Sequence, residues 1–149
     1  MSELFAVTLN SVKDLDAFVQ RLEAFFTART IVLLEGDVGT GKTETVRALA
    51  RRRGWRHVAS PSFAIHLHYE NASGDAADHI DLYRLESEED LESTGFWDLF
   101  SQPTGLILLE WADRLNSDYL PLDWQRIRVR FKKRADDQSR SLVVEKIEP

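Results

Sequence analysis

The sequence predicts an α/β domain in which one mixed parallel and antiparallel sheet is flanked by helices. Three observations carry that expectation. Two short runs, Ile31-Val32-Leu33-Leu34 and Leu106-Ile107-Leu108-Leu109, are wholly apolar, as strands buried on both faces are. Two segments, 15–26 and 45–53, repeat apolar residues at helical spacing. Between Arg56 and Leu85 the period changes to two, the mark of half-buried strands.

Taken in order, the first element is a helix. Ser11-Val12-Lys13-Asp14 reads as its start, with the Ser11 hydroxyl placed to accept from the N–H three residues on. Leu15, Phe18, Val19, Leu22, Phe25 and Phe26 then form one apolar face for packing on the sheet. The strand 31–34 follows. Thr45 to Arg53 is the next helix, with Val46, Leu49 and Ala50 apolar and Gly54 closing it. Ala64 to Tyr69 and Asp78 to Tyr83 both alternate, and Asn71 to Asp75 between them reads as the turn of a hairpin. Glu86 to Ser93 is acidic and helical, and Gly95 to Phe100 continues into a short second helix or turn. The strand 106–109 ends in Glu110-Trp111. Two more strands, 126–131 and 142–147, are joined by the polar stretch Lys132 to Arg140, read as a long turn. No repeat, low-complexity segment or linker divides residues 1–149, so one domain is expected.

Bulk properties narrow the function classes. The formal net charge of −6 argues against a protein whose main task is to grip nucleic acid. With no cysteine there is no disulfide framework, thiol nucleophile or thiolate metal site. No apolar run approaches the ~20 residues that cross a bilayer. Met1 to Phe5 lacks the basic and apolar regions of a signal peptide, and a cytoplasmic location is expected. Arg47, Arg51, Arg52, Arg53 and Arg56 form the main basic cluster. The last three residues of the helix complement its macrodipole, a reading preferred here to a docking surface for RNA or an acidic partner.

Between the strand at 31–34 and its helix lies Gly36-Asp37-Val38-Gly39-Thr40-Gly41-Lys42-Thr43, which satisfies the P-loop (Walker A) pattern G-x-x-x-x-G-K-[ST]. The glycines let backbone N–H groups wrap phosphates, and the helix N-terminus adds partial positive charge. Lys42 is expected to reach the β- and γ-phosphates and the Thr43 hydroxyl to bind Mg²⁺. The fold expected is therefore a single P-loop NTPase-like domain, with ATP and Mg²⁺ as its ligands.

Hydrolysis also needs carboxylates. Glu110 ends an apolar strand, the topological place of a Walker-B acid, and Asp81 sits on a strand able to flank the nucleotide. Ser60-Pro61-Ser62-Phe63 offers a hydroxyl next to a fixed proline, placed to sense the γ-phosphate, or else a turn into a strand. Trp111 is either a core indole or one that packs on nucleotide or partner. His66, His68 and His79 are read as ordinary strand residues rather than metal ligands. Glu88, Glu89, Asp90 and Glu92 read as a solvated helix start.

The segments Leu34 to Thr43 with Val46-Arg47, Ser60-Pro61-Ser62-Phe63, His79-Ile80-Asp81-Leu82-Tyr83-Arg84-Leu85 and Leu108-Leu109-Glu110-Trp111 resemble, in order and spacing, the TsaE (YjeE) family of bacterial P-loop ATPases. The resemblance implies a role in making threonylcarbamoyladenosine in tRNA. It implies ATP hydrolysis that resets the TsaB–TsaD heterodimer between turnovers, with tRNA engaged only indirectly through that complex and no membrane involved. It places Mg²⁺ on Thr43 and Glu110 and the phosphates on Gly36 to Thr43. Asp81 is then required for hydrolysis, alongside Lys42 and Glu110, and Trp111 lies by the nucleotide. Three residues depart from the family pattern: Ser62 stands for threonine, Val38 for leucine, and Glu44 for a second threonine, adding negative charge near the phosphates.

Two other classes share the P-loop. A small-molecule kinase needs an acceptor pocket and an arginine-bearing lid, for which the hairpin-like middle leaves little length. A GTPase or nucleotide sensor needs a guanine-reading Asn-Lys-x-Asp segment, and Asn116-Ser117-Asp118 lacks the lysine.

Overall fold

A computed structural model describes residues 2–37, 39–58, 66–82, 95–110, 115–136 and 138–148. The eight strands among them are β1 (Ser2–Leu9), β2 (Arg29–Glu35), β3 (Arg56–Val58), β4 (His66–Glu70), β5 (Ala76–Asp81), β6 (Gly105–Glu110), β7 (Gln125–Lys133) and β8 (Arg140–Ile147). All belong to one sheet, in the order β1-β8-β7-β2-β6-β5-β4-β3. Its centre is parallel, with β2 flanked by β6 and β7 and β5 beside β6. Its two sides are antiparallel: β1, β8 and β7 on one, β3, β4 and β5 on the other. The mixed sheet expected from the sequence is present.

The apolar runs occupy the centre because only there are both faces covered. Ile31, Val32, Leu33, Ile107, Leu108 and Leu109 are fully buried. Alternate side chains feed two cores. Val32, Leu34, Leu106 and Leu108 meet helices α1 (Asp14–Glu23) and α2 (Lys42–Arg53) on one face. Ile31, Leu33, Ile107 and Leu109 meet Phe96, Phe100 and Trp124 on the other. Leu15, Phe18, Val19 and Leu22 of α1 are all buried, each contributing about 1.5–3 kcal/mol of apolar transfer. Phe25 and Phe26 pack partly buried in the turn beyond the helix.

Several boundaries differ from expectation. The α1 terminus is not capped by Ser11. Asp14 instead reaches backward, its carboxylate accepting from the N–H groups of Asn10 (2.8 Å) and Ser11 (3.3 Å). An acid in the first turn serves as well as a preceding hydroxyl because it also complements the helix dipole. The α2 helix starts at Lys42, not Thr45, because the phosphate loop runs directly into it. The hairpin strands are 66–70 and 76–81 around the expected turn, where Asn71 Oδ1 accepts from the Ser73 and Asp75 N–H groups. The segment after Gly95 is a 3-10 helix, Phe96–Ser101. The polar turn after β7 is shorter than Lys132 to Arg140, since pairing continues to Lys133↔Arg140. The strand β1 was absent from the sequence reading. It lies at the sheet edge, and a register shift between Glu3 and Phe5 breaks its alternation. The acidic segment Glu86 to Ser93 lies outside the described residues.

Four members of the basic cluster are in ion pairs. Arg51 pairs with Asp16, Arg52 with Glu23, Arg53 with Glu23 and Asp75, and Arg47 with Glu44. Burial tends to raise the Glu23 carboxyl, but hydrogen bonds from Arg52 and Arg53 more than offset this and hold it below the ordinary range. Most of the cluster thus joins α2 to α1 and the β4–β5 turn, which favours the structural reading over a docking surface. Among the described residues no helix is long and apolar enough to cross a membrane.

Candidate functional site

The sheet directs its site to the C-terminal ends of the parallel strands. The chain leaves β2 at Glu35 and turns at Gly36, whose φ is 153°. A Cβ there would lie 2.7 Å from the Phe131 carbonyl oxygen of β7, so only glycine lets the loop pass. Thr40 ties the loop to itself, its hydroxyl donating to the Asp37 carbonyl at 2.7 Å. Gly41, at φ 111°, delivers the chain into α2, and among the described residues no side chain caps that terminus. Its first N–H groups therefore suit an anion. The Lys42 side chain is buried and folds back so that its ammonium donates to the Gly36 carbonyl.

Glu110, the last residue of β6, is 3% exposed. It accepts from the Thr43 hydroxyl at 2.7 Å through Oε1 and from His79 Nε2 at 2.5 Å through Oε2. Asp81 is its register partner on β5, and both line the cavity that the phosphate loop borders. Burial tends to raise the Glu110 carboxyl. Hydrogen bonds from His79 and Thr43, with the charges of His79 and Lys42, outweigh that and hold it below the usual range. The group is an anion at neutral pH. A hydroxyl and a carboxylate that already share one hydrogen bond form a hard-oxygen pair, the donor type Mg²⁺ takes, so these residues fit that ion.

His79 is the correction to the sequence reading: it is not an ordinary strand residue. Its ring stacks on Tyr69 at 6.4 Å between centroids, and its buried Nδ1 has no hydrogen-bond partner among the described residues. Period two puts His79 on the same face as Asp81, a signal available in the sequence. Tyr69 shares this environment; burial and the Glu110 charge push its hydroxyl up.

His66 and His68 do share a strand face as expected. Both contact Asp78 Oδ1, at 2.7 and 2.8 Å. Burial tends to lower His68, but hydrogen bonds with Asp78 and Glu70 prevail and raise it. Glu44 lines the cavity, yet its carboxylate is held by Arg47 at 2.8 Å, which tempers the charge it presents to the loop. Val38, Ser60 to Phe63, Tyr83 to Leu85 and Trp111 lie outside the described residues.

The cavity holds about 490 Å³. Besides the loop and the two acids, its walls include Leu9, Ser11, Val12, Leu15, Gln138 and Arg140. The sequence reading assigned none of these to a site. Arg140 crosses from β8 to donate to the Gly39 carbonyl at 3.1 Å. No local pattern announces that contact, because it depends on how β7 and β8 pair.

Comparison with known proteins adds an independent line. Residues 9–142 match the model of the family described as "Threonylcarbamoyl adenosine biosynthesis protein TsaE". The chain is 35% identical over 116 residues to the tRNA threonylcarbamoyladenosine biosynthesis protein TsaE of Synechocystis sp., covering 76% of this chain and 71% of that one. It is 33% identical to the Bacillus subtilis protein of the same name, over 93% of this chain and 83% of that one. The crystal structure of Bacillus subtilis YdiB superposes with a TM-score of 0.69 at 24% identity, covering 99% of this chain and 88% of the other. The last similarity concerns the fold.

Proposed function

The chain belongs to the TsaE family of threonylcarbamoyl adenosine biosynthesis proteins, and from that premise we propose that it is a Mg²⁺-dependent ATPase. It binds and hydrolyses ATP as an accessory protein in the tRNA threonylcarbamoyladenosine pathway, resetting the TsaB–TsaD complex between turnovers in the cytoplasm. The observation that carries this reading is the Thr43–Glu110 hydrogen bond at the mouth of a glycine loop and uncapped helix, with Lys42 folded over the same loop.

In this reading the N–H groups of residues 39–43 take the phosphate oxygens, and Lys42 leaves the Gly36 carbonyl for the β- and γ-phosphates. Thr43 and Glu110, which share a hydrogen bond, would hold Mg²⁺. When bound, that ion would neutralise charge that develops on the phosphates. Glu110 is kept anionic and oriented by His79. Asp81, beside it but not bonded to Thr43, orients the attacking water. Trp111 follows Glu110 directly and is assigned to the nucleotide side. The net charge of −6 agrees with partners, not this chain, holding the tRNA.

The test is ATP hydrolysis by the purified protein, alone and with TsaB–TsaD from the same organism, with Lys42→Ala as the control. Turnover that rises with the heterodimer is the expected result. Turnover indifferent to it, or absent in both cases, overturns the coupling and leaves a nucleotide-binding domain, for which phosphorylated small acceptors are then screened.

His79 supplies a second expected result. His79→Ala should raise the Mg²⁺ needed for half-maximal turnover by about tenfold, as loss of a partner that orients a metal-binding side chain does. His79→Gln, whose amide N–H can stand in for Nε2–H, should recover most of it. An unchanged Mg²⁺ requirement in the alanine variant removes His79 from this role.

A further inference from the structure

We propose that Tyr69 is a positioning residue for the Glu110 carboxylate: its ring holds the His79 imidazole in the plane from which Nε2 meets Glu110. The inference rests on the Mg²⁺ reading of Glu110 above and extends that site by one residue.

One ring nitrogen of His79 is engaged, Nε2 on Glu110 Oε2 at 2.5 Å. The other, Nδ1, is buried and has no hydrogen-bond partner among the described residues. Side chains that bind a metal keep their aim through outer partners. Such a partner can do so only if its own ring is held. A single hydrogen bond leaves rotation about its axis open, so packing must set the plane of His79. Tyr69 supplies that packing. Its ring lies 22° from parallel to the imidazole, 6.4 Å between centroids, within the offset-stacked range of aromatic rings.

Pairing in the sheet produces the contact. On the antiparallel pair β4–β5, Leu67 stands opposite His79 and Tyr69 opposite Ala77. Tyr69 and His79 are therefore diagonal neighbours on one face, a separation that aromatic side chains bridge. Ala77 is buried and carries only a methyl group, which leaves the Tyr69 ring room to lean towards His79. Tyr69 is itself held. Trp55 stacks on it at 6.2 Å and 25°, and His57 of β3 meets it edge-on at 6.1 Å. Trp55 is fixed in turn, its Nε1–H donating to Asp75 Oδ2 at 2.8 Å in the β4–β5 turn. A row of ring contacts thus runs from that turn through Trp55, Tyr69 and His79 to Glu110 and Thr43. Each contact of Tyr69 in the row is made by its ring, so phenylalanine can replace it. Leucine, apolar but without a plane, cannot.

The experiment compares Tyr69→Leu, Tyr69→Phe and His79→Ala in the full chain, each shown to be folded by thermal melting. Without nucleotide or metal, NMR of the ¹⁵N-labelled histidine rings identifies the His79 Nε2–H proton as the signal missing from His79→Ala. In Tyr69→Leu this proton should exchange with water at least about tenfold faster, as local opening does, and in Tyr69→Phe it should behave as in the parent. The Mg²⁺ needed for half-maximal turnover should rise about threefold to tenfold in Tyr69→Leu, at or below the loss from deleting an outer partner outright. Adding Tyr69→Leu to His79→Ala should change that requirement by no more than about twofold, because Tyr69 acts through His79. An unchanged proton in Tyr69→Leu, a Tyr69→Phe variant as impaired as Tyr69→Leu, or additive effects in the double variant overturns the role and leaves the ATPase reading intact. A parent protein with no such protected proton overturns it as well. A parent that hydrolyses no ATP overturns the ATPase reading, while the proton exchange still decides the role of Tyr69.

Discussion

Lys42→Ala abolishes nucleotide-dependent turnover, by at least about 100-fold, the scale seen when one donor that stabilises developing charge is removed. Lys42 is the one side chain of the loop that carries a positive charge, and it is buried against the site rather than spread into solvent. In the absence of phosphate its ammonium is satisfied by the Gly36 carbonyl. Binding therefore exchanges a neutral acceptor for an anionic one, and charge-assisted hydrogen bonds are roughly twice as strong as neutral ones. Alanine removes that gain and leaves the Gly36 carbonyl without this donor. The measurement is ATP titration together with single-turnover hydrolysis, with thermal melting to show that the variant folds. A variant that binds and hydrolyses ATP like the parent would exclude the loop from the activity.

Asp81→Ala should separate binding from chemistry. Turnover is expected to fall by about 10²- to 10⁴-fold, the contribution of a positioned acid–base group, while ATP affinity stays within about threefold, or about 0.7 kcal/mol. The division rests on which acid Thr43 engages. Glu110 is bonded to the Thr43 hydroxyl and to His79, so its place is that of the metal-binding acid. Asp81 is its register neighbour, held beside it by the Leu82 N–H donating to the Glu110 carbonyl at 3.1 Å. It lines the cavity half-buried, able to meet a water at the reactive end. Asp81→Asn, with the shape retained and the charge lost, should resemble alanine in turnover. Full turnover in either variant would show that water is oriented by another group, and a large loss of ATP affinity would assign Asp81 to the metal instead.

The phosphate loop was legible because it is local. A strand, a glycine turn and a helix adjacent in sequence make the anion site by themselves, and their order needs no long-range information. The same holds for the β4–β5 hairpin, whose turn residues and alternation lie within one short segment. Glu110 was legible because an acid that ends an apolar strand has only one end of the sheet to occupy. His79 was misread for the opposite reason. Its residue type and alternation fit any half-buried strand, and its role appears only when β5 lies parallel to β6 with Asp78↔Ile107 through Asp81↔Glu110 in register.

By itself, then, the sequence determined the α/β class, the loop that can hold phosphate and the acids that can accompany it, since each follows from residues that are neighbours along the chain. Only the tertiary structure decided which acid meets Thr43, what orients Glu110, that an edge strand begins the sheet, and that Val12 and Arg140 stand on one cavity with Gly39. Those facts depend on strand order and on pairings such as Lys133↔Arg140 and Ser2↔Lys146. Such pairings are set by burying both faces of the whole sheet at once, a condition that no single segment can express.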